Sequence, residues 1–477
     1  MHRTGTTLGL ILAAGLAAGA SLIALAGPLD PPAGPVSSTY KTLSEIEPRI
    51  AINATNTPGD ADSVYRITAP GSYYLTGNIS GANGKHAIEI DSDNVTLDLN
   101  GFTLQGVAGS LDGINLSGFF RATFKNGVIQ GFGRSGIEGS GGAASLIAGI
   151  KVTACGQYGI AINSGSVVRD CIVSACTNVG IITSNGVIVE NCVAGSNGTH
   201  GIQAGTDSIV RNCIASGNVA GGITTASVDN LTVIDCIADG NGGTGIACND
   251  RSSVAGSVSR NNGQAGISCG IGSLLRGCSA TDNTGDGFVT LATCSITACT
   301  ASGNGERGFE TTSSTIAHCT ARENGSDGFY IASGSVITAC TAAANLGDGI
   351  STSTGNTITQ NTCSFNGIHG IDAAGDNRIV ENSCDNNGAT AVGAGIHIPD
   401  GTLFVINSDC RIEGNNCTDN DYGIWLEDTG NLAARNSASS NASGNYNIVA
   451  GNAVAAIVNV AGNGAFSSTN TWSNLEF

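Results

Sequence analysis

The chain around Asn262 to Ile371 repeats one phrase five times over: NNGQAGI, DNTGDGF, GNGERGF, ENGSDGF and ANLGDGI. A glycine followed by Ile or Phe anchors each copy, and the same anchor recurs fifteen times between Gly113 and Gly423. Eight of the fourteen spacings are 21 residues, and the others are 20, 23, 23, 23, 25 and 28. A fixed period of this size is the mark of a solenoid. Short alternating segments such as SVVRDCIV and GVIVENCV fill each period, with turn residues between them and no apolar spacing of 3.6. Helical repeats are thereby excluded, leucine-rich repeats lack their leucines, and propeller blades need about twice the length. The expected unit is a coil of three short parallel strands.

Two columns support the coil. Four residues before successive anchors stand Asn197, Asn218, Asn241, Asn262, Asn283, Asn304, Asn324, Asn345 and Asn366, a stack of amides able to bond one to the next. Cys155 and Cys176 hold this slot in the two preceding coils. The second column reads Cys171, Cys192, Cys213, Cys236, Ser257, Cys278, Cys299, Cys319, Cys340, Asn361 and Asn382, so cysteine sits where a small polar residue otherwise goes.

This unit, I-x-x-[N or C]-x-x-x-x-N-x-x-x-G-I, resembles the right-handed parallel β-helix repeat of secreted bacterial proteins. Pectate lyases, polygalacturonases and a periplasmic nitrous-oxide-reductase accessory protein share that fold. The segment NVTLDLNGFTLQG at 94–106 resembles the opening coil of the superfamily, and the likeness covers Lys85 to Gly464. It implies an all-β, single-stranded right-handed parallel β-helix. At about 4.8 Å per coil, some sixteen to eighteen coils would make a rod of about 80 Å.

The rest of the chain divides around that body. Residues 1–26, with Arg3, an apolar run and Ala24-Leu25-Ala26, read as a cleaved signal peptide and predict a secreted, extracellular, cell-surface or periplasmic protein with no membrane span afterwards. Residues 27–84 read as a proline-rich linker, a short capping helix (Thr42 with Glu45, stopped by Pro48, within Tyr40 to Ile52) and entry strands. Val64 to Ile79, around Ala69-Pro70-Gly71-Ser72, reads as a hairpin or paired strands. Residues 85–464 form the β-helix, and 465–477 cap it with Trp472 and Phe477 over the last coil.

A formal charge of -18 makes nucleic acid and anionic membranes unsuitable partners. Seventeen cysteines in an exported chain suggest disulfides. Stacked cysteines, however, point the same way at about 4.8 Å, beyond the Cβ separation of about 3.5–4.5 Å that a disulfide needs. Most thiols are therefore expected to be free and buried, with Cys171–Cys176 and Cys294–Cys299 the pairs open to bridging at corners.

Chemistry is concentrated beside the later anchors. Just before them stand Asp286, Arg307, Asp327, Asp348 and His369; two residues after them stand Glu310, Tyr330, Asp372, His397 and Trp425. On a regular coil the two columns run side by side up one face. One reading is a non-catalytic exported repeat protein whose long face binds polysaccharide or another cell-surface component. The other is a polysaccharide lyase or glycoside hydrolase, since carboxylates about 5 or 9.5 Å apart suit glycoside cleavage. Asp before Gly is also ordinary turn chemistry, and Arg307 would compensate Asp286 and Asp327. Gly367-Ile368-His369-Gly370 resembles the histidine motif of polygalacturonases, but their paired aspartates and the Asp-Pro-His-Asp of alginate epimerases are missing. No cofactor is expected, calcium being the one ion the acidic surface would suit. Spacings of 20–23 leave no room for cleft loops, which favours the binding reading. Only the intervals Gly370–Gly395 and Gly395–Gly423 could build a wall.

Overall fold

The computed structural model describes residues 47–225, 229–401, 407–460 and 470–477. The chain divides into two units, Met1–Arg49 and Ile50–Phe477. Of the first, only 47–49 are described, where the Arg49 guanidinium holds the Glu47 carboxylate through two 2.8 Å hydrogen bonds. The expected signal peptide, the proline-rich linker and the start of the capping helix lie outside the described residues.

The second unit is a parallel β-helix, and one coil explains the rest. Phe288–Thr290, Ser295–Thr297 and Thr300–Ser302 are its three strands. Each pairs in parallel with the same strand one coil on: Phe288 with Phe309, Ser295 with Thr315, Thr300 with Thr320. Alternation sends the first and third residues of the first strand inward and the middle one outward. In the other two strands the middle residue points in. Stacking identical coils therefore stacks identical side chains. Phe288, Phe309 and Phe329 lie face over face at 4.7 and 4.8 Å in the core.

The corners between strands are left-handed turns capped by ladder residues. Ala298 and Gly303 adopt φ of 53° and 67° immediately before Cys299 and Asn304. The ladder side chains offset this strain by satisfying the corner's backbone. Asn283 donates from both its backbone N–H (3.2 Å) and its Nδ2 (2.9 Å) to Asn304 Oδ1. The second Nδ2 proton of Asn304 goes to Ala280 O at 3.1 Å. The asparagine ladder continues past the expected Asn366 through Asn387, Asn420 and Asn441. In the second column the acceptor changes while the bond stays: Cys236 N–H reaches Ser257 Oγ, Cys299 N–H reaches Cys319 Sγ, and Cys340 N–H reaches Asn361 Oδ1. A third ladder, unexpected from the sequence, runs through Cys294, Ser314, Ser335, Asn356 and Asn377. All seventeen cysteines are buried and free, including both pairs left open to bridging.

The anchor glycines are required by proximity. A Cβ on Gly287 would stand 2.6 Å from the carbonyl oxygen of Gly308, and one on Gly370 2.5 Å from that of Gly395. Only a residue without a side chain lets the next coil approach.

Both ends depart from expectation. Ile50–Ala51, assigned to the helical cap, is a strand paired with Tyr73–Tyr74. Ser63–Ile67 and Gly71–Tyr74 do not form a hairpin. They pair in parallel with His86–Ile90 and Val95–Asp98, because the Pro-Gly turn is a coil corner. At the far end Asn474–Glu476 inserts between Ser437–Ser439 and Ile457–Asn459, with Asn474 prolonging the ladder from Asn436. Ile457–Asn459 thus lies beyond that strand at the end of the stack. Trp472 lies under Arg435, and both Trp472 and Phe477 are about half exposed. Among the described residues no helix is long and apolar enough to cross a membrane.

Candidate functional site

In the charged coils the residue two after each anchor lies on the outer side of the first strand, and strand register aligns these residues into one row. Glu310 neighbours Tyr330, Tyr330 neighbours Ser351, Ser351 neighbours Asp372, Asp372 neighbours His397, and His397 neighbours Trp425. The residue before each anchor forms the adjoining row, and where it is Asp or His in the charged coils its side chain has a structural task. Asp286 accepts the N–H of Arg307 (2.8 Å), Asp327 that of Asp348 (2.9 Å), Asp348 that of His369 (2.8 Å), and His369 Nδ1 that of Ala394 (3.0 Å). His200 does the same for Gly221 at 3.0 Å, far from the charged coils. Turn chemistry thus accounts for one oxygen of each aspartate, and the other has no hydrogen-bond partner among the described residues.

Arg307 compensates its aspartate neighbours at a distance, its charge lowering both Asp286 and Asp327, but it forms no ion pair with either. Its Nη1 pairs with Glu310 at 2.8 Å and its guanidinium covers the Tyr330 ring at 3.9 Å. Asp286, Asp327 and Asp348 consequently have no Lys or Arg ion pair among the described residues. Burial raises the carboxyls of Asp286 and Asp327. Burial, reinforced by the charge of Asp372, pushes that of Asp348 up to about 7.

The two lengthened coils gather the rest. His397 Nδ1 lies 2.7 Å from Asp372 Oδ1, and its Nε2 lies 3.3 Å from Glu427 Oε2. The His369 and His397 rings stack at 4.2 Å, Trp425 stands 4.7 Å from His397, and Tyr422 stands 4.9 Å from Trp425. Burial, then the neighbouring His397, holds the His369 imidazole down to about 4. At neutral pH His369 is thus uncharged. Because Nδ1 accepts a backbone N–H, the proton sits on Nε2, making His369 a fixed neutral donor.

The ligand atoms of His369, Asp372 and His397 come within 4.8 Å of one another, the spacing of a metal centre. Their chemistry does not fit one. A metal-bound imidazole normally donates its second N–H, whereas the second nitrogen of His369 accepts. Calcium would want about six to eight oxygens. The other such group, Asp60, Asp62 and Glu89, has Arg66 beside it, 3.2 Å from Asp60 and 3.7 Å from Glu89.

All ten expected residues therefore share one face, but they separate into an Arg307–Glu310–Tyr330 group and an Asp348–His369–Asp372–His397–Trp425 group, with Asp327 on the backbone of Asp348 and Asp286 on that of Arg307. Tyr422 and Glu427 were not anticipated, although Tyr422 directly precedes Gly423 and so occupies the pre-anchor column. The early coils also carry polar groups on this face. His86 Nδ1 accepts the N–H of Asp112 at 3.2 Å, and Arg134 lies 3.7 Å from Asp112. Asp112 likewise precedes an anchor, Gly113.

No curated protein matches the chain. Among solved structures, the mannuronan C-5 epimerase AlgE6 A-module of Azotobacter vinelandii is 16% identical, with 85% of this chain and 89% of that chain covered and a TM-score of 0.29. The catalytic unit of a GH87 alpha-1,3-glucanase from Streptomyces thermodiastaticus strain HF3-3 is 15% identical over 72% and 64%, at 0.33. The Dettilon tailspike protein is 15% identical over 69% and 62%, at 0.31. Likenesses this loose say nothing about function. The family model described as right handed beta helix region matches residues 112–262, 181–304, 253–362 and 309–475. With most of the chain matched and every coil stacked in parallel, this protein belongs to the right-handed β-helix family.

Proposed function

We propose that the face from Asp286 to Trp425 binds a polysaccharide and cleaves it by acid–base catalysis. One observation carries the reading: a carboxyl raised to about 7, Asp348, lies in the same cluster as an imidazole oriented by a carboxylate, His397 on Asp372. Titratable groups whose surroundings push them apart are how one site supplies both acid and base. Asp348 delivers its proton to the glycosidic oxygen as the bond to the anomeric carbon breaks. Glu427, beside His397 Nε2, takes a proton from the water that attacks that carbon, and His397, held at Nδ1 by Asp372, positions the Glu427 carboxylate. His369 Nε2–H donates to a substrate oxygen, and Trp425 with Tyr422 offers ring faces to a sugar. Asp372 and His397 fall in the two coils long enough to build a wall, which favours the enzyme over the purely binding surface. No metal takes part in this scheme.

The test is product analysis after incubating the protein with a panel of plant, bacterial and fungal polysaccharides, with and without a calcium chelator. Shortened chains formed by the wild type and not by Asp348→Asn or His397→Ala support the reading. Binding without any product from a well-folded wild type would return the face to a non-catalytic role. Loss of product on chelation would overturn the metal-free scheme.

A further inference from the structure

The third strand of each coil ends in a left-handed corner just before the ladder residue. From Ala154 to Ser440 that corner holds Ala, Ser, Gly, Asn, Asp or Glu in every coil but one. The exception is Phe365, at φ 56° and 59% exposed. A bulky residue is an outlier in this conformation, and a ring left in solvent returns little hydrophobic stabilisation. Ala344, one coil earlier and also at φ 56°, shows that the corner does not need a ring. Phe365 stands at one end of a recess of about 420 Å³ that Asn386, Gly388, Asp419, Asp421 and Ser440 also line. The recess has its origin in the spacing. Four residues carry a regular coil from ladder asparagine to anchor, as from Asn366 to Gly370, whereas Asn387 takes eight to reach Gly395 and Asn420 only three to reach Gly423. The insertion forms a wall, exposed at residues 389–392. His369 Nδ1 accepts the Ala394 N–H at one end of it (3.0 Å), and Asp421 Oδ2 accepts the Gly393 N–H beside the recess (2.9 Å). One wall thus borders both the cleavage cluster and the recess.

We propose that this recess is a second sugar-binding site, which takes a neutral ring of the polysaccharide outside the cleavage cluster; the choice of a sugar rests on the carbohydrate reading above. A concavity within about 300–1,000 Å³, with an aromatic surface and a few convergent polar groups, has the make-up of a small-ligand site. The Phe365 ring offers a flat face to sugar C–H groups. Asp419 and Asp421 accept protons from hydroxyls, while Asn386 and Ser440 both donate and accept. The ring is neutral because the two aspartates repel a uronate carboxylate. The recess shares a wall with the cleavage cluster but none of its side chains, so it holds the polymer without taking part in bond breaking.

The experiment is calorimetric binding of cellohexaose, laminarihexaose, mannohexaose and hexagalacturonate to the full chain, made non-cleaving by Asp348→Asn. At least one neutral hexaose is expected to bind, and to go on binding when Trp425→Ala removes the ring beside His397. Adding Phe365→Ala should then weaken that binding at least about tenfold, as loss of an anchoring aromatic does, whereas Phe365→Tyr should keep it. Because Ala344 fills the same corner one coil earlier, Phe365→Ala should fold as the parent does. Binding that is unchanged in Phe365→Ala, or already abolished by Trp425→Ala, would place sugar at the cleavage cluster alone and overturn the proposal. Hexagalacturonate binding as tightly as the neutral hexaoses would also overturn it. So would no binding of any hexaose, and product from the polysaccharide panel would then leave the enzyme reading standing. Conversely, Phe365-dependent binding with no product from the wild type would sink the enzyme reading and leave this site in place.

Discussion

Asp348 uses its two oxygens differently. Oδ1 accepts the His369 N–H at 2.8 Å, while the carboxyl as a whole is held up to about 7 against an ordinary 3.8. Asparagine keeps the acceptor and removes the proton, so Asp348→Asn should leave the coil intact while lowering any cleavage rate about 100- to 10,000-fold. Stability should move the other way. Between pH 3.8 and 7 the folded carboxyl keeps a proton that the unfolded chain releases, so Asp348 makes the protein less stable as pH rises through that window, by at most about 4 kcal/mol. His369, held down to about 4 from 6.5, has the opposite sign and costs stability as pH falls through 6.5 towards 4. Denaturant melts at pH 5 and 8 should therefore show Asp348→Asn close to wild type at the lower pH and more stable at the higher. Equal midpoints at pH 8 would mean that Asp348 ionises normally. The column arithmetic that exposed His369, Asp372 and His397 could not reveal the tautomer of His369 or the neutrality of Asp348. Both depend on burial and on which backbone N–H points at which side chain, and neither leaves a trace in the spacing.

At the scale of the element, the asparagine stack is a continuous wire of saturated amides. Removing Asn304 leaves the Asn283 N–H and Nδ2 and the carbonyl of Ala280 without their partner. Each unsatisfied buried group costs about 1–3 kcal/mol, so Asn304→Ala should destabilise by several kcal/mol in equilibrium unfolding. Cys299→Ser should cost little more than 1 kcal/mol, because Ser257 already fills the same slot elsewhere. Phe309→Ala, which empties the middle of a stacked triplet, should cost about 3–5 kcal/mol. The ladders and anchors were legible because a solenoid writes each structural need at one fixed offset. The third ladder was not, because valine and leucine at Val187 and Leu231 interrupt its polar pattern; their backbones still donate to Ser208 and Ser252. The hairpin misreading at Val64 to Ile79 has a related cause. Alternation and a Pro-Gly turn look the same whether a strand pairs with its successor or with one a whole coil away.

At the scale of the whole solenoid, each coil touches only its neighbours, so opening should begin where a coil has one neighbour instead of two. The cysteines make this measurable. They are all buried and free, and they occur from Cys155 to Cys417 along the stack, with Cys278, Cys294 and Cys299 in its middle. A maleimide pulse in increasing denaturant, read by peptide mass spectrometry, should label Cys410 and Cys417 at the C-terminal end before the central three. Cys155 lies several coils inside the N-terminal end and should label between them. Native protein should react at none of the seventeen, since the hydrogen bond with Cys299 and then burial raise the Cys278 thiol, burial raises that of Cys410, and burial shields the rest from reagent. Gradual labelling from the ends inward would identify the coil as the unit of stability. Simultaneous labelling of every thiol would instead mean that the continuous amide wires and the unbroken core couple all coils into one cooperative transition. In that case Asn304→Ala, which cuts a wire mid-stack, should split that single transition into two.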